Sequence, residues 1–524
     1  MKLLKILTRS VKAGVVCVLF AGSALAETCT WTGEKGDGKW SSAENWENGE
    51  KPVSGRGDVV TVNGTGAVGG IIDNDISGLE VAQLVLAGDG YTLSGEKITV
   101  TAATQAVKKT GTTSAVTLEV PVEFTSESGE VTLSSNDKAL NVKGALSGDV
   151  KVVFDGGTFY LYSANTYTGG TQLKSGTLYL HNPACFGQAG TTVTAPGNFT
   201  FIEPGDYAYD FVLTATGAIV WCFQPGNTRP TGDFTFSGTV SLPNSTGNWD
   251  IQRPQSDGTH KIVFQKPVSA PKAKLSSDAP MAWTVEYHDA VTAAGTYCGY
   301  WDNNLAPWFE FYKDAALGSV TPCRQMRIRA KADDVFTTHP PIVFNCSIQP
   351  WSGTDDQYNI GLFDMAGHDL TMDRIEHGAA QMTSPSGQIY SSDGAVTLRL
   401  EGTADATTVA LVKNEVSLVW APKTTGLVQT FQGRVQKTTG TITVTNGVLR
   451  STGASSWASV PKIRVEQDGE FRLETSLVNA LKGVGKVELA GNGRLTVVSG
   501  DTAFGACSLE LSADSRLALP EGSY

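Results

Sequence analysis

A single dipeptide, Arg-Leu, returns at a constant step near the end of the chain, and this step limits the folds that the chain can adopt. The dipeptide occurs at Arg472-Leu473, Arg494-Leu495 and Arg516-Leu517, and the same step separates Glu466, Glu488 and Glu510. A unit of about 22 residues can form a strand, a tight turn and a second strand, but it cannot bury its own apolar side. The step therefore predicts stacked β-strand coils, in which each coil covers the next.

Stacking also predicts which side chains lie inside. Leu449 precedes Leu473 by a slightly longer interval, so the repeat extends one coil upstream. We expect Leu449, Leu473, Leu495 and Leu517 to form one interior column. The Glu and Arg columns should then lie in register on the surface.

The composition agrees with an all-β chain. Gly accounts for 58 of 524 residues and charged residues for 18%, against averages of about 7% and about 25%. Such a mix favours strands and turns over helices. Short strand candidates between turn formers occur at 59–62, 83–86, 98–101, 116–120, 150–154 and 177–180.

The chain divides into five predicted parts. Residues 1–26 are a signal peptide, 27–58 a Trp- and Gly-rich capping element, 59–205 β-helix repeats, 206–390 a less regular, aromatic-rich section, and 391–524 repeats of about 22–24 residues. The section 206–390 consists either of wider coils, which we favour, or of an insertion packed against the solenoid.

The N-terminal stretch 1–26 has the three parts of a secretory signal peptide. A basic start contains Lys2, Lys5, Arg9 and Lys12, an apolar run follows over 13–21, and Ala24-Leu25-Ala26 is a small-x-small cleavage site. We therefore expect export by the general secretory route. No later apolar run reaches the minimum of roughly 18 residues for a membrane span, so we expect none in the mature chain.

The mature chain is acidic. Removing the four basic leader residues leaves 36 Lys and Arg against 52 Asp and Glu, a net charge of −16. Such a surface repels nucleic acid and anionic lipid, so neither is expected as a partner.

Two segments resemble a known family. Asn165-Thr166-Tyr167-Thr168-Gly169-Gly170-Thr171 followed by Lys174-Ser175-Gly176-Thr177-Leu178 resembles the autotransporter-associated β-strand repeat of passenger domains. The start of the mature chain resembles the N-terminal element of such exported bacterial proteins, in Thr30-Trp31-Thr32-Gly33, Gly38-Lys39-Trp40, Asn45-Trp46, Pro52 and Gly57-Asp58-Val59. The resemblance implies a right-handed parallel β-helix, a location at the cell surface or in the medium, an adhesin-like or structural role, and no catalytic residues.

Few residues suggest chemistry. The histidines are His181, His260, His288, His339, His368 and His377. His288-Asp289 and His368-Asp369 are neighbours in sequence, and neighbours on a strand point to opposite faces, which argues against a His/Asp pair. Asp364, Asp369 and Asp373 are the one close acidic set that could serve a polysaccharide lyase or hydrolase, although turn and surface roles are favoured.

Four further patterns have a structural interpretation that we favour. Asp73-Asn74-Asp75-Ile76-Ser77-Gly78 starts like a calcium loop, but its twelfth position is Leu84 instead of Glu. Arg56-Gly57-Asp58 matches an integrin-type tripeptide and is interpreted as a turn. The aromatic group between Trp283 and Tyr312 predicts core packing, with a sugar-stacking platform as the alternative. Cys298, Cys323 and Cys346 follow one another at intervals close to one coil length and would stack on neighbouring coils, either as buried thiols or within disulfide reach.

These observations favour an exported, non-enzymatic β-solenoid with an adhesin-like or envelope-structural role. We expect no catalytic, cofactor or metal site. The partners that would suit this role are surface glycans or other cell-surface proteins. Two alternatives remain: a polysaccharide-active β-helix enzyme, and a carbohydrate-binding protein that uses the aromatic-rich middle.

Overall fold

The computed structural model describes most of the chain after the predicted leader. The described residues are 25–136, 138–223, 232–252, 261–277, 283–297, 307–322, 327–344, 361–378, 387–432, 436–453, 457, 459–475, 480–498 and 507–519. Their regular structure is almost entirely β-strand, and two short 3-10 helices lie at Ala43–Asn45 and Glu47–Gly49.

Short alternating segments form these strands. In Thr177–Leu180, for example, Leu178 and Leu180 are buried while Thr177 and Tyr179 are partly exposed, as expected for one face on a core and one face outside. Pairing between successive strands of the ladders named below is parallel, so each strand hydrogen-bonds to its equivalent one coil further on. The predicted all-β, parallel β-solenoid is confirmed, with about 17 turns.

The strands fall into sheets that run along the solenoid. A front sheet of 22 strands combines two ladders. Its first ladder is Thr28–Thr30, Val59–Val62, Gln83–Leu86, Val107–Lys109, Glu130–Ser135, Lys151–Asp155, Thr171–Leu173, Thr192–Ala195, Asp210–Leu213, Val240–Ser241, Val268–Ser276, Val291–Tyr297 and Ala315–Leu317. Its second ladder is Ile71–Asn74, Thr92–Gly95, Val116–Leu118, Ala139–Val142, Thr158–Leu161, Thr177–Leu180, Phe199–Phe201, Ile219–Phe223 and Asn248–Gln252.

Two ladders form the remaining face of the front and middle coils. A four-stranded ladder contains Leu79–Val81, Ile98–Val100, Val122–Phe124 and Leu146–Gly148. A ten-stranded ladder, here called the long ladder, contains Gly205–Asp206, Phe234–Phe236, Lys261–Phe264, Thr284–Tyr287, Trp308–Phe311, Arg327–Ala330, Gly361–Asp364, Gly387–Tyr390, Leu411–Asn414 and Lys437–Thr438.

Three further ladders complete the C-terminal coils. A pair joins Ile342–Phe344 and Ile375–His377. A seven-stranded ladder contains Leu370–Met372, Val396–Leu400, Val416–Trp420, Ile442–Thr445, Lys462–Glu466, Lys486–Leu489 and Ser508–Leu511. A six-stranded ladder contains Ala406–Thr408, Val428–Gln432, Val448–Gly453, Glu470–Thr475, Arg494–Val497 and Arg516–Ala518.

The ladders overlap along the chain. The long ladder begins at Gly205, before the front sheet ends at Leu317, and continues to Thr438, after the seven-stranded ladder has begun at Leu370. The described strands between 206 and 390 therefore belong to the same stack as the coils on either side. The division of the chain at 58, 205 and 390 stays a prediction.

The length of a coil varies much more than its strands do. Lys174 lies one coil after Asp155 and is 19 residues from it, whereas Asp364 lies one coil after Arg329 and is 35 residues from it. Extra residues between paired strands are tolerated at little entropic cost. A single period therefore describes only part of the chain.

Aromatic side chains fill the interior of the middle coils. Phe264, Tyr287 and Phe311 occupy equivalent positions on successive strands. Their rings stack with centroids 5.2 Å apart at both steps, and all three side chains are buried. A parallel ladder places equivalent side chains about 4.8 Å apart, so large flat rings pack here without a gap.

The predicted interior column of leucines is wrong at two positions: Leu473 is out of register, and Leu517 is in register but 37% exposed. Leu449 lies opposite Phe471, Phe471 opposite Leu495, and Leu495 opposite Leu517. Leu473 instead lies opposite Val497.

The length of the whole coil explains this difference, because equivalent residues are 24 apart both before and after the turn. Asp468 and Asn492, which face each other in the turns of these two coils, are 24 residues apart, and this step is longer by two than the Arg-Leu step. A shift of two residues leaves every side chain on the same face of its strand. Leu473 is therefore still buried, but outside its predicted column.

The surface columns shift in the same way. Glu488 lies opposite Glu510, as predicted, and Arg494 lies opposite Arg516. Glu466 does not join its column, because Arg464 lies opposite Glu488. The shift places opposite charges side by side, and Arg464 contacts Glu488 at 3.2 Å.

Two buried glutamines supply hydrogen bonds to strand backbones. Gln429 Oε1 accepts a bond from the Ile375 amide at 3.1 Å, and its Nε2 donates to the Ile375 carbonyl at 2.8 Å. Gln436 bonds in the same way to the Val412 amide and the Ala410 carbonyl, at 2.7 and 3.2 Å. Each glutamine amide thus makes the two hydrogen bonds that a residue of a neighbouring strand would otherwise make, and the buried backbone N–H and C=O groups that it contacts have partners.

Three tryptophans close together cover the first coil. Trp46 contacts Trp31 and Trp40 edge-on, with both ring centroids 5.3 Å away. Trp31 Nε1 donates to the Thr65 carbonyl at 2.7 Å, and Trp46 Nε1 donates to the Trp40 carbonyl at 2.8 Å. All three indole rings are buried, and the cluster shields the interior at this end of the described stack.

Candidate functional site

Charged side chains follow one another on the outer face of the long ladder. Glu286, Glu310, Arg329 and Asp364 occupy equivalent positions on four successive strands. Lys261, on the strand before them, contacts Glu286. We call these five residues the ionic row.

Each acid in the ionic row has a basic partner. Lys261 Nζ lies 2.6 Å from Glu286. Arg329 reaches in both directions along the row, 2.5 Å to Glu310 and 2.9 Å to Asp364. The acids are almost completely buried, with side-chain exposures of 5%, 6% and 0%. Charges withdrawn from water to this extent require such partners.

Proton affinities in the row follow from these contacts. Burial alone would raise the pKa of Glu286, but hydrogen bonds from Lys261 and His288 hold it below its ordinary value. Burial alone would lower the pKa of Arg329, but its bonds to Asp364 and Glu310 raise it. Both residues are therefore fully charged at neutral pH.

Aromatic side chains flank the ionic row. On one side, His288 stacks on Tyr312 with ring centroids 4.2 Å apart, and the Tyr312 hydroxyl donates to Glu310 at 2.9 Å. On the other side, the Arg329 guanidinium lies 3.9 Å from the centre of the Trp308 ring. This distance is that of a cation–π contact, which holds Arg329 in place between the two acids.

The row has the residue types of a glycosidase, but the pKa of Glu286 is shifted in the direction opposite to that of a catalytic acid. Glu286 and Glu310 are neighbours in register, and parallel strands lie about 4.8 Å apart. That separation resembles the carboxyl spacing of retaining glycosidases, in which one acid has a raised pKa and protonates the leaving group. The pKa of Glu286 is lowered instead. The arrangement suits ion pairing and the acceptance of hydrogen bonds better than it suits acid catalysis.

A second cluster lies on the outer face of the front half, on the second ladder of the front sheet. Tyr160 stacks on Tyr179 at 4.5 Å, and Tyr162 stacks on His181 at 4.1 Å. We call these four residues the Tyr/His patch. All four are partly exposed, and burial lowers the pKa of His181. The rings face each other along the solenoid, so the patch presents mainly ring edges and hydroxyls to solvent.

The predicted acidic set does not form one site. Asp364 is buried beside Arg329 and accepts bonds from the Ala366 and Ser392 amides, both at 2.9 Å. Asp369 is exposed and accepts a bond from the Thr397 amide. Asp373 pairs with Arg374 and Thr403.

The histidines have separate environments. His288 pairs with Glu286 at 2.8 Å, while the neighbouring Asp289 pairs with Lys313. His368 contacts Asp333 at 3.2 Å, so neither His-Asp neighbour pair forms a dyad. His339 contacts Glu401 at 3.3 Å, His377 ends a strand of the two-stranded ladder, and His260 lies outside the described residues.

The calcium-like segment is a polar corner. Asp75 accepts bonds from the amide and hydroxyl of Ser41 at 2.7 and 2.6 Å. Asn74 donates to the Glu96 carbonyl at 2.7 Å, and Leu84 is buried in the core. Among the residues that the structure describes, no three His, Cys, Asp or Glu side chains are placed to hold a metal ion.

The Arg-Gly-Asp tripeptide is folded inward. Asp58 is completely buried and Arg56 binds it at 2.6 Å. A buried carboxylate that already has a partner cannot reach a receptor, so the turn interpretation agrees with the structure.

The aromatic-rich middle is divided between two sides of its strands. Trp283, Tyr287, Phe309 and Phe311 are buried, in agreement with predicted core packing, while Trp308 and Tyr312 flank the ionic row outside. Tyr300, Trp301, Cys298, Cys323 and Cys346 lie outside the described residues, so the stacking of these cysteines stays a prediction.

Inspection of the sequence missed Glu286, Glu310 and Arg329. They come together because strands of three successive coils stack in register. The two coils differ in length: Glu310 and Arg329 are 19 residues apart, and Glu286 and Glu310 are further apart than that. A useful signal was present in the alternation: Trp308-Phe309-Glu310-Phe311 places Glu310 between two buried phenylalanines and therefore on the outer face.

The fold and its outer face define the class of protein as a parallel β-solenoid of stacked coils. No family model matches the chain, and neither curated proteins nor solved structures give a match. The autotransporter-associated resemblance therefore stays a prediction. Within the described part of the chain, the structure contains no helix with the length and hydropathy of a membrane span.

Proposed function

We propose that this protein is exported and acts as a rigid β-solenoid, in an adhesin-like or envelope-structural role, without bond-making chemistry. The observation that carries the proposal is the overlap of parallel ladders from Thr28 to Ala518. About 17 turns at about 4.8 Å each correspond to a stack about 80 Å long. A stack of this kind offers many equivalent contact points along its length, and multivalent contact strengthens weak individual interactions.

Charge arrangement supports the same role. The acids of the ionic row are neutralised by bases on the same face, and Arg464, Lys462 and Lys486 all contact Glu488 in the C-terminal coils. Such networks tie neighbouring coils together on the outside, as the core does on the inside.

Localisation on intact producer cells tests this proposal. Antibodies against the purified full chain should label intact cells or the culture medium, and added protease should remove the cell-bound signal. A cytoplasmic protein followed in the same samples controls for lysis. Retention of the protein in the cytoplasm would contradict the proposal.

Adhesion is tested with the same protein on a surface. Beads coated with the full chain at increasing density should be retained by glycan-coated or cell-coated surfaces, with a steeper than linear dependence on density. Uncoated beads are the control. If coated beads were retained no better than uncoated beads on every surface, the adhesin-like role would be contradicted. The envelope-structural role would still stand.

Polysaccharide cleavage is the second candidate, because Glu286 and Glu310 lie in register. The wild-type chain would then release reducing or unsaturated ends from a panel of polysaccharides, and Glu310→Gln would abolish this release. Both results together would establish polysaccharide cleavage. Unchanged polymer length with the wild-type chain would dismiss it for that panel.

A further inference from the structure

A buried carboxylate lies at the point where the mature chain is predicted to start. Asp58 is fully buried and accepts a bond from the Glu27 backbone nitrogen at 3.1 Å. It also binds Arg56 Nε at 2.6 Å, the Val53 amide at 2.9 Å and the Cys29 thiol at 3.7 Å. Glu27 directly follows Ala26, the last residue of the predicted cleavage site.

The charges around Asp58 do not balance while the leader is attached. Arg56 is shared between Asp58 and the Glu27 carboxylate, which lies 3.0 Å from it. Burial and the charge of Asp58 raise the pKa of Cys29 to about 11, so this thiol is neutral. Among the described residues of this cluster, two carboxylates therefore share one guanidinium, so the cluster has one more negative than positive charge, and the Glu27 carboxylate is 46% exposed.

Cleavage at the predicted site supplies the missing charge. Hydrolysis of the Ala26–Glu27 amide consumes one water molecule, leaves a carboxylate on Ala26, and converts the Glu27 nitrogen into an amine that takes up a proton at neutral pH. We propose that the new α-ammonium group of Glu27 binds the buried Asp58 carboxylate, and that this ion pair locks the first coil once the leader has been removed. The proposal rests on the proposed export.

The ion pair would act on the coil that begins the stack. The Glu27 carbonyl accepts a bond from the Val59 amide at 2.9 Å, and Thr28–Thr30 pairs with Val59–Val62 immediately afterwards. A charge-assisted bond at Glu27 would fix the start of this strand. The mature chain should therefore be more stable than the precursor.

The pH dependence has a definite sign. An α-amino group ordinarily has a pKa of about 7.7–8.0, and the Asp58 carboxylate would raise it in the folded state. The groups that face the amine are Asp58, Arg56, Cys29 and the Glu27 carboxylate. The added stability is then complete below a pH of about 7.7 and is lost as the pH rises through the raised value.

The test compares two full-length mature proteins. One begins at Glu27, and the other begins at Leu25, so that the Glu27 nitrogen stays an amide. We expect the first to have a higher urea midpoint at pH 7, with a folded-to-unfolded ratio at least tenfold greater, and to lose this advantage above the raised pKa. NMR titration of the amine in the first protein should give a pKa above about 8.

Asp58→Asn provides the control for the partner. In that background the two N-termini should differ by less than threefold. If Asp58→Asn does not fold, the amine titration alone decides. Equal midpoints for the two wild-type N-termini at pH 7, or an amine with an ordinary pKa, would overturn the proposal.

The N-terminal mass of the protein collected from producer cells separates the two proposals. A chain that begins at Glu27 supports both. An exported chain that begins elsewhere overturns the ion pair and leaves export standing, while an uncleaved cytoplasmic chain overturns both.

Discussion

At the scale of single residues, the buried charges of this protein depend on a small number of partners. Arg329 is the clearest case, because it is the one base that joins Glu310 to Asp364 within the described ionic row. Both acids are nearly inaccessible to water. The cost of removing a partner from such a group exceeds the benefit that the pair contributes to stability.

Replacement of Arg329 by Met should therefore destabilise the protein strongly. We expect a loss of about 3–5 kcal/mol, because two buried carboxylates would lose their closest cation. Urea unfolding followed by circular dichroism measures it. Arg399→Met is the matched control: Arg399 is 48% exposed and lies 3.8 Å from Glu401, so its loss should cost less than about 1 kcal/mol. Equal effects of the two substitutions would contradict the proposed role of the row.

Thiol labelling tests burial at single residues. Cys29 and Cys185 are buried and Cys222 and Cys507 are partly exposed, and burial raises the pKa values of Cys29, Cys185 and Cys507. Only thiolates react rapidly. In native protein at pH 8, we expect Cys29 and Cys185 to stay unlabelled until urea is added, as measured by peptide mass spectrometry. Labelling of either at the rate of the unfolded chain would show that its coil opens readily.

The sequence predicted residue roles unevenly. It predicted that the aromatic group between Trp283 and Tyr312 packs in the core, because aromatic residues bury large areas, and this is wrong for Trp308 and Tyr312, which lie outside. It did not predict the ionic row. The residues of one strand do not indicate that Glu310 lies between Glu286 of the preceding coil and Arg329 of the following coil. Those contacts depend on corner lengths, which have no fixed pattern.

At the scale of strands and ladders, register is the property that the sequence determines least well. The Arg-Leu step predicted the parallel stacking correctly but placed Leu473 opposite Leu495, where Phe471 lies. Both alignments put apolar side chains inside, because side chains alternate with a period of two. The length of the coil, which is two residues greater than the Arg-Leu step, decides between them.

Gln429 offers a test at the scale of one ladder. Its amide bonds both backbone groups of Ile375, so Gln429→Leu should leave a buried N–H and a buried C=O without partners. We expect a loss of about 2–5 kcal/mol, measured by urea unfolding.

Gln83→Leu is the matched control for this substitution. Gln83 also donates to a backbone carbonyl, that of Gln105, at 2.8 Å, but in an exposed position. Water can replace that bond, so the change should cost less than about 1 kcal/mol. If Gln429→Leu were as mild as the control, the glutamine would not be needed for the continuity of the strands.

At the scale of the whole molecule, the stack is nearly one-dimensional. Each coil contacts mainly its two neighbours, so stability is expected to be a sum of local terms, and damage should stay local. Urea unfolding should therefore report a substitution mainly through the transition of the coils that contain it. The fold class was predictable for the same reason, since one repeated unit is sufficient to identify the architecture.

Tyr287→Ala should expose this locality. The ring stacks between Phe264 and Phe311, so its loss opens a cavity in the middle coils. Hydrogen exchange should accelerate at 261–264, 284–287 and 308–311 and stay unchanged at 130–180. Tyr287→Phe is the control, because the buried hydroxyl has no hydrogen-bond partner among the described residues, and it should preserve protection. Uniform acceleration along the chain would mean that the coils unfold together.

One coil of this protein measures 19 residues and another measures 35, yet each advances the stack by a single strand spacing. Contour length and axial height are therefore independent of each other. Peptides grafted into successive corners should stand at regular intervals of about 5 Å along the stack, whatever their length.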